Sequence, residues 1–394
     1  MTSRSLSARR VLAPSLAAVF LLNGCVTPPQ QPAEPTAVSV RYEPARWSQL
    51  PGWQADAAHE AWDAFMQSCS TKNLPAPLLN ACAAARSIAM ANPEQARAFF
   101  EAHFTPYRIV RVESPSASSD TGLITGYYEP LLRGSRNAST LFSTALYAPP
   151  DDMLTIELGD VFPELRGKRV RGRVEGKKVL PYFDRAALQN QASLKGKELV
   201  WVDSAVDAFF LEIQGSGRVQ LDDGSTIRLA YADQNGQPYR SIGRYLVDSG
   251  EMTLEEVSAP AIRQWLQYNP TRMHEVLSSN PSVVFFREER IDDPSIGPKG
   301  SLGVALTAGR SVAVDRTFIP LGAPLFLSTT MPITDAPLQR LVMAQDTGGA
   351  IRGPVRADLF WGFGASAGEL AGRMKQEGQM WLLWPTGAAL PGGQ

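Results

Sequence analysis

From Tyr107 onward the chain reads mostly as short β-rich runs, each cut off by glycine, proline or aspartate before it can grow into a long helix. The 30 prolines and 32 glycines in 394 residues supply that punctuation and restrict the body to a turn-rich, strand-dominated fold. Expected strands are Arg108–Glu113, Leu123–Tyr128, Val179–Tyr182, Leu199–Val202, Val283–Arg287, Gly303–Leu306, Val312–Val314, Leu325–Leu327, Leu341–Ala344 and Met380–Trp384. Asp222-Asp223-Gly224, between Gly217–Leu221 and Thr226–Tyr231, is a hairpin signal. Helical spacing appears over Asp56–Ser68 and Ala76–Ala91. It appears again after Asn92-Pro93, where Gln95 completes a capping motif and the helix runs to about Phe104. Further helix starts are predicted at Thr253 (Glu256 three residues on), at Asn269-Pro270, and at Ser366 (with Glu369), the last ending by Gly378. The fold class is mainly β with helices, α+β.

The first 24 residues are excluded from the fold. Arg4, Arg9 and Arg10 precede an apolar run from Val11 to Leu22, too short to span a bilayer, which stops at Asn23-Gly24-Cys25. Leu22-Asn23-Gly24-Cys25 resembles the lipobox of bacterial lipoproteins, with Cys25 as the acylated residue; a plain secretory signal is the alternative. Val26 after the cysteine favours the outer membrane over the inner one, facing the periplasm. Residues 25–37 read as a lipidated, proline-rich tether (TPPQQPAEPTA after Val26). Cys69 and Cys82 lie 13 apart in what would be an oxidising compartment, so a disulfide is expected, against two buried free thiols.

Elimination narrows the chemistry. Once residues 1–24 and their three arginines are set aside, 35 basic residues face 39 acidic ones, without the cationic excess that nucleic-acid binding requires. His59, His103 and His274 show no metal-ligand spacing, so no metal is expected. No GxSxG, Walker or dinucleotide fingerprint occurs, and Gly215-Ser216-Gly217 is a lone GxG. No cofactor is expected. Carboxylates remain, and these are the groups that cleave glycosidic bonds at neutral pH. The leading candidate is Asp346 in Leu341–Arg352 (LVMAQDTGGAIR). An apolar run delivers and desolvates the acid, raising its pKa towards that of a general acid, and Gly348-Gly349 admit a bulky polymer to the backbone. The competing reading is an ordinary turn aspartate.

Longer motifs carry a resemblance. Thr125–Pro130 (TGYYEP), Tyr182–Leu188 (YFDRAAL), Asp207–Arg218 (DAFFLEIQGSGR), Gln234–Leu246 (QNGQPYRSIGRYL) and Asn280–Phe286 (NPSVVFF) occur in order, followed by Asp315, Asp346 and Asp358. This series resembles the membrane-bound lytic murein transglycosylase A family, whose three-aspartate domain is a double-psi β-barrel. The resemblance implies a barrel domain from 38–131 and 281–394, a second β-barrel-like domain inserted at 132–280, and a glycan groove between them. It makes Asp346 the single catalytic acid and base, although Thr347 stands where many relatives have valine. Asp315 and Asp358 would support it or simply bind turn amides. Tyr127, Tyr128, Gln214, Gly215, Ser216, Gly217, Gly348 and Gly349 would meet the sugar. Only one of the adjacent tyrosines can do so from a strand, and core packing competes for each. Glu129 departs from the neutral residue frequent in relatives.

The implied activity is cleavage of peptidoglycan between N-acetylmuramic acid and N-acetylglucosamine, leaving 1,6-anhydromuramic acid ends. Implied partners are glycan strands and the outer membrane through the lipid anchor, with a monomer as the default. Two alternatives stand beside it. One is a glycan-binding lipoprotein without activity. The other is a muramidase, which needs a second carboxylate from Asp358 or Glu129.

Overall fold

The computed structural model describes residues 38–392 apart from 89–91, 115, 167, 169, 190 and 292. The expected targeting segment, Cys25 and the tether lie outside them. Three helices, Trp62–Ser70, Leu79–Ala85 and Pro93–His103, precede the first long strand. The last is fixed at its start by a reciprocal cap: Gln95 N donates to Asn92 Oδ1 at 2.8 Å, and Asn92 N to Gln95 Oε1 at 3.1 Å. Phe65, Phe99, Phe100 and Phe104 pack edge to face under these helices. A Cys69–Cys82 disulfide, Cα–Cα 5.4 Å, joins the first two helices.

Six strands close into a ring. Thr121–Glu129 pairs with Lys375–Pro385, which pairs with Pro324–Thr330, then Pro337–Asp346, Ser311–Val314, Ala357–Phe363 and back to Thr121–Glu129. Two of the six pairings are parallel, Ser311–Val314 with Pro337–Asp346 and Ala357–Phe363 with Thr121–Glu129. Parallel neighbours require crossover connections, and here these interlock the strands as a double-psi β-barrel. The C-terminal half of Lys375–Pro385 also pairs with Phe104–Ser114, so one long strand serves both the ring and the flanking sheet. Leu325, Phe326, Leu341, Met343, Ala344, Leu359 and Leu382 are almost wholly buried in the core that the barrel shares with the N-terminal helices.

A second sheet has the order Val284–Glu289, Thr226–Gln234, Ser216–Leu221, Leu131–Ser135, Glu198–Val202 and Thr144–Tyr147. The hairpin at Asp222–Gly224 forms with Gln220 opposite Thr226. Val284–Glu289, which the sequence reading grouped with the barrel from residue 281, joins this sheet. Its backbone pairs with Thr226–Gln234, and Phe286 lies in the core of the second sheet. Two other elements also differ. Thr253 and Glu256 do exchange capping hydrogen bonds, but they close only a turn. Pro260 has no N–H for a continuing helix, so the helix begins at Ala259 with Ser258 as its cap. Gly303–Leu306 is a loop rather than a strand, because Gly303 adopts φ 85° and breaks the extended backbone. Among the described residues no helix is long and apolar enough to cross a membrane.

Candidate active site

Asp346 is the last residue of the strand Pro337–Asp346. Leu341, Val342, Met343 and Ala344 are buried, so the strand reaches the barrel rim as a fixed rod. Gln345 anchors its tip. Its amide donates to Ala64 O at 2.6 Å and Ser68 Oγ at 2.9 Å, and its oxygen accepts from Ser311 Oγ at 2.5 Å. Side chains alternate across a strand, so fixing Gln345 inward turns Asp346 the other way.

The two oxygens of Asp346 are not equivalent. Oδ1 accepts from Ser301 N at 2.8 Å, Ser301 Oγ at 2.9 Å and Thr347 N at 2.9 Å. Oδ2 accepts from the Tyr127 hydroxyl at 3.0 Å. Burial pushes this carboxyl above the ordinary aspartate range, and the hydrogen bonds from Ser301, Thr347 and Tyr127 only partly oppose it. Every one of these donors is neutral. Because Oδ1 is saturated by three donors and Oδ2 has one, the mobile proton belongs on Oδ2. The Ser301 loop reaches Asp346 through Gly300, where a Cβ would lie 2.5 Å from Gln345 O and 3.2 Å from Asp346 Cβ.

Tyr127 is nearly buried, and its ring packs on Phe360 at 5.2 Å. Burial and the neighbouring Asp346 and Asp358 raise its phenol well above the usual range, so it remains a proton donor. Tyr128 faces the other way, against Gly368 of the helix Gly364–Arg373. Its backbone N–H donates to Gln214 Oε1 at 3.0 Å. Gln214 ends the helix Ala205–Gln214, and Gly215 at φ 79° closes it in the left-handed conformation that glycine accepts without strain. Ser216 and Gly217 open the following strand. A Cβ on Gly217 would meet Leu211 Cδ1 at 2.2 Å and Pro130 at 3.0 Å, so a side chain there would force Leu211 to shift. Gly348 receives the Ile351 N–H on its carbonyl at 3.1 Å, and Gly349 is exposed, with open space where a side chain would project.

The other two aspartates part company. Asp358 sits opposite Ala313, which in turn sits opposite Asp346, so the two acids lie in one row across three strands. Its Oδ1 accepts from Thr125 Oγ1 at 2.5 Å, and Thr125 accepts from Arg356 at 2.9 Å. Burial lifts the Asp358 carboxyl to about 6, with Asp346 adding to the rise and Thr125 and Arg356 opposing it. Asp315 instead holds backbone: Oδ1 accepts from the Thr317 amide at 3.1 Å and the Thr317 hydroxyl, and Oδ2 from Gly353 N at 2.9 Å.

Glu129 is fully buried between two arginines. Arg218 Nε donates to Oε2 at 2.9 Å, and Arg228 Nε donates to Oε1 at 2.5 Å. That location removes it as a water-activating carboxylate. Ser301, Thr125 and Arg356 were not anticipated from the sequence. Among the described residues no three His, Cys, Asp or Glu side chains are grouped to hold a metal.

Residues 123–287 match the MltA specific insert domain, and residues 310–384 match the 3D domain. Over 267 residues the chain is 32% identical to membrane-bound lytic murein transglycosylase A of Escherichia coli; the match takes in 66% of this chain and spans 64% of the length of that relative. Several solved structures share the fold, among them two with substantial identity. MltA from Neisseria gonorrhoeae has 36% identity and a TM-score of 0.75, over 91% of this chain and 97% of that one. The lytic transglycosylase LtgG of Burkholderia pseudomallei has 46% identity and a TM-score of 0.57, over 88% and 96%. With its barrel, its inserted sheet and its strand-end aspartate, the chain belongs to the membrane-bound lytic murein transglycosylase A family.

Proposed function

We propose that the protein is a peptidoglycan lytic transglycosylase in which Asp346 is the single acid and base. The observation that carries this is the asymmetric carboxyl of Asp346: Oδ1 is fixed by Ser301 and Thr347, and Oδ2 meets only Tyr127. Burial keeps a protonated fraction available as pH rises, as a general acid needs. In the first step Oδ2 gives its proton to the oxygen between muramic acid and glucosamine, and the C1–O bond breaks with its electrons leaving on that oxygen. The muramic acid C6 hydroxyl then closes on C1, and its proton passes to the Asp346 carboxylate. A C1–O6 bond forms, no water is consumed, and the acid is regenerated. A nucleophile tethered to the reacting ring replaces the bound water of a hydrolase, so a second carboxylate is unnecessary.

Tyr127 takes the role of orienting Asp346, and Asp358 that of an adjacent charge in the same strand row. Asp315 holds the Gly353 turn. Gly348 and Gly349 let the strand approach, and the Gln214–Gly217 corner borders the groove between barrel and inserted sheet. With Val284–Glu289 paired into the second sheet, the insert is proposed to run from about 131 to 289 rather than 132 to 280. Cys25 would carry the lipid that holds the enzyme at the outer membrane on the periplasmic side, as a monomer.

The test is mass spectrometry of products released from purified sacculi by protein lacking residues 1–25. Anhydro-muropeptides are expected. Reducing-end products would turn the search to a second carboxylate, and no product would revive the reading of a glycan-binding module. Asp346→Asn should fold normally and release nothing; turnover at the parent rate would remove Asp346 from its role. Cys25→Ala should leave an active protein in the soluble fraction, and persistent sedimentation with membranes would refute the anchor.

A further inference from the structure

Phe363 ends the strand Ala357–Phe363 opposite Glu129, two residues along from the tyrosine that bonds Asp346. The residue is 49% exposed. Single exposed apolar side chains are ordinary on protein surfaces. This ring differs in being packed on one face. Gly362 and Gly364 flank it at φ 100° and 84°, left-handed turns of the backbone on either side of the residue. The Arg218 guanidinium carbon lies 4.0 Å from the ring centroid and closes one face. Arg218 is itself nearly buried, held by Glu129 and by Ile296 O at 3.4 Å. One face of an aromatic ring therefore rests on a buried, ion-paired cation while the residue remains half open to solvent.

The segment 296–301 connects this ring to the catalytic carboxylate. Ile296 O accepts from Arg218 and from Arg228 at 2.7 Å, Gly297 lies against Phe360 and Leu306, and Ser301 bonds Asp346. Five residues span at most about 17 Å, so ring and acid lie within reach of one glycan chain. We infer that Phe363 is a stacking platform for a sugar ring of the bound strand, remote from the bond that is cut. The inference rests on the glycan-cleaving function proposed above. A hexosamine ring presents an apolar face of C–H groups that suits an aromatic surface, and its polar rim remains in water. A ring already packed on Arg218 has less rotamer freedom to lose on binding than a surface aromatic with neither face covered.

The test uses the Asp346→Asn protein, which cannot turn the ligand over, titrated calorimetrically with the N-acetylglucosamine hexamer. Phe363→Ala and Phe363→Leu should bind about tenfold more weakly, and Phe363→Tyr within about twofold of the parent. Phe363→Leu keeps apolar bulk without a π face, so its thermal unfolding serves as the folding control. With Asp346 intact, Phe363→Leu should raise KM for long strands and leave kcat in place. Unchanged hexamer affinity in a folded Phe363→Leu protein overturns the platform alone. Failure of the Asp346→Asn protein with Phe363 intact to bind hexamer overturns the glycan function and the platform together.

Discussion

Replacing Asp358 by asparagine should stabilise the protein at neutral pH and do little in acid. Burial lifts the folded-state carboxyl from 3.8 to about 6. For an acid, a folded pKa above the unfolded one means that the folded state binds more protons between those values. Stability from this group is therefore intact below 3.8, falls as pH rises through the window, and is lost above about 6. The shift corresponds to on the order of 3 kcal/mol of unfavourable charge burial at neutral pH. Asparagine keeps an oxygen for the Thr125 hydroxyl and never ionises, but it forfeits the attraction to Arg356 and must place an extra N–H pair. A net gain of about 1–3 kcal/mol near neutrality is the expectation. Urea unfolding of both proteins at about pH 4 and about pH 7.5 measures it, the slopes confirming that only stability has changed. A difference between variant and parent that is the same at both pH values would refute the reasoning, because only a titrating group makes it pH-dependent.

Tyr127→Phe removes the donor to Asp346 Oδ2 and with it part of what holds the carboxyl down. The alkaline limb of kcat/KM should move to higher pH, with stability falling by about 1–2 kcal/mol; an unmoved limb would show that the phenol does not tune the acid. Glu129→Gln leaves Arg218 and Arg228 without their counter-ion in a buried site and should cost about 3–5 kcal/mol in denaturant unfolding. A loss below about 1 kcal/mol would mean that water or another acceptor replaces the carboxylate.

The strand bearing Asp346 was legible because its signal is local. An apolar run, a carboxylate and two glycines lie side by side in Leu341–Gly349. Ser301 was not legible, since nothing in Lys299–Gly303 announces that its amide will meet a residue 45 positions away. The helix Ala205–Gln214 escaped for a different reason. Val206, Ala208, Phe209, Phe210 and Leu211 are all buried, so it lacks the one-sided apolar stripe that marks an amphipathic helix. The available signals were its ends, Ser204 capping Asp207 N and Gly215 closing the last turn. Gly303–Leu306 misled in the opposite sense. Leu302, Val304 and Leu306 are buried at alternate positions as in a strand, but Leu302 N donates to Gln345 O, Leu306 N to Pro298 O, and Val304 O accepts from Gly300 N, so no strand ladder forms. Glu129, which the sequence placed near the groove, gained two buried arginine partners from strands 89 and 99 residues away.

The strand that closes the ring, Lys375–Pro385, comes last of the six in chain order and is the only one among them paired to Thr121–Glu129 from the antiparallel side. Until it is in place, the strand bearing Tyr127 hangs on a single neighbour, and the contact between Tyr127 and Asp346 must bridge 219 residues without the ring to enforce it. Closing so long a loop is entropically unfavourable, and the gain comes late. Competence is thus coupled to completion. A chain interrupted before that strand, however far its helices and inserted sheet have folded, carries Asp346 without the closed ring that holds Tyr127 against it.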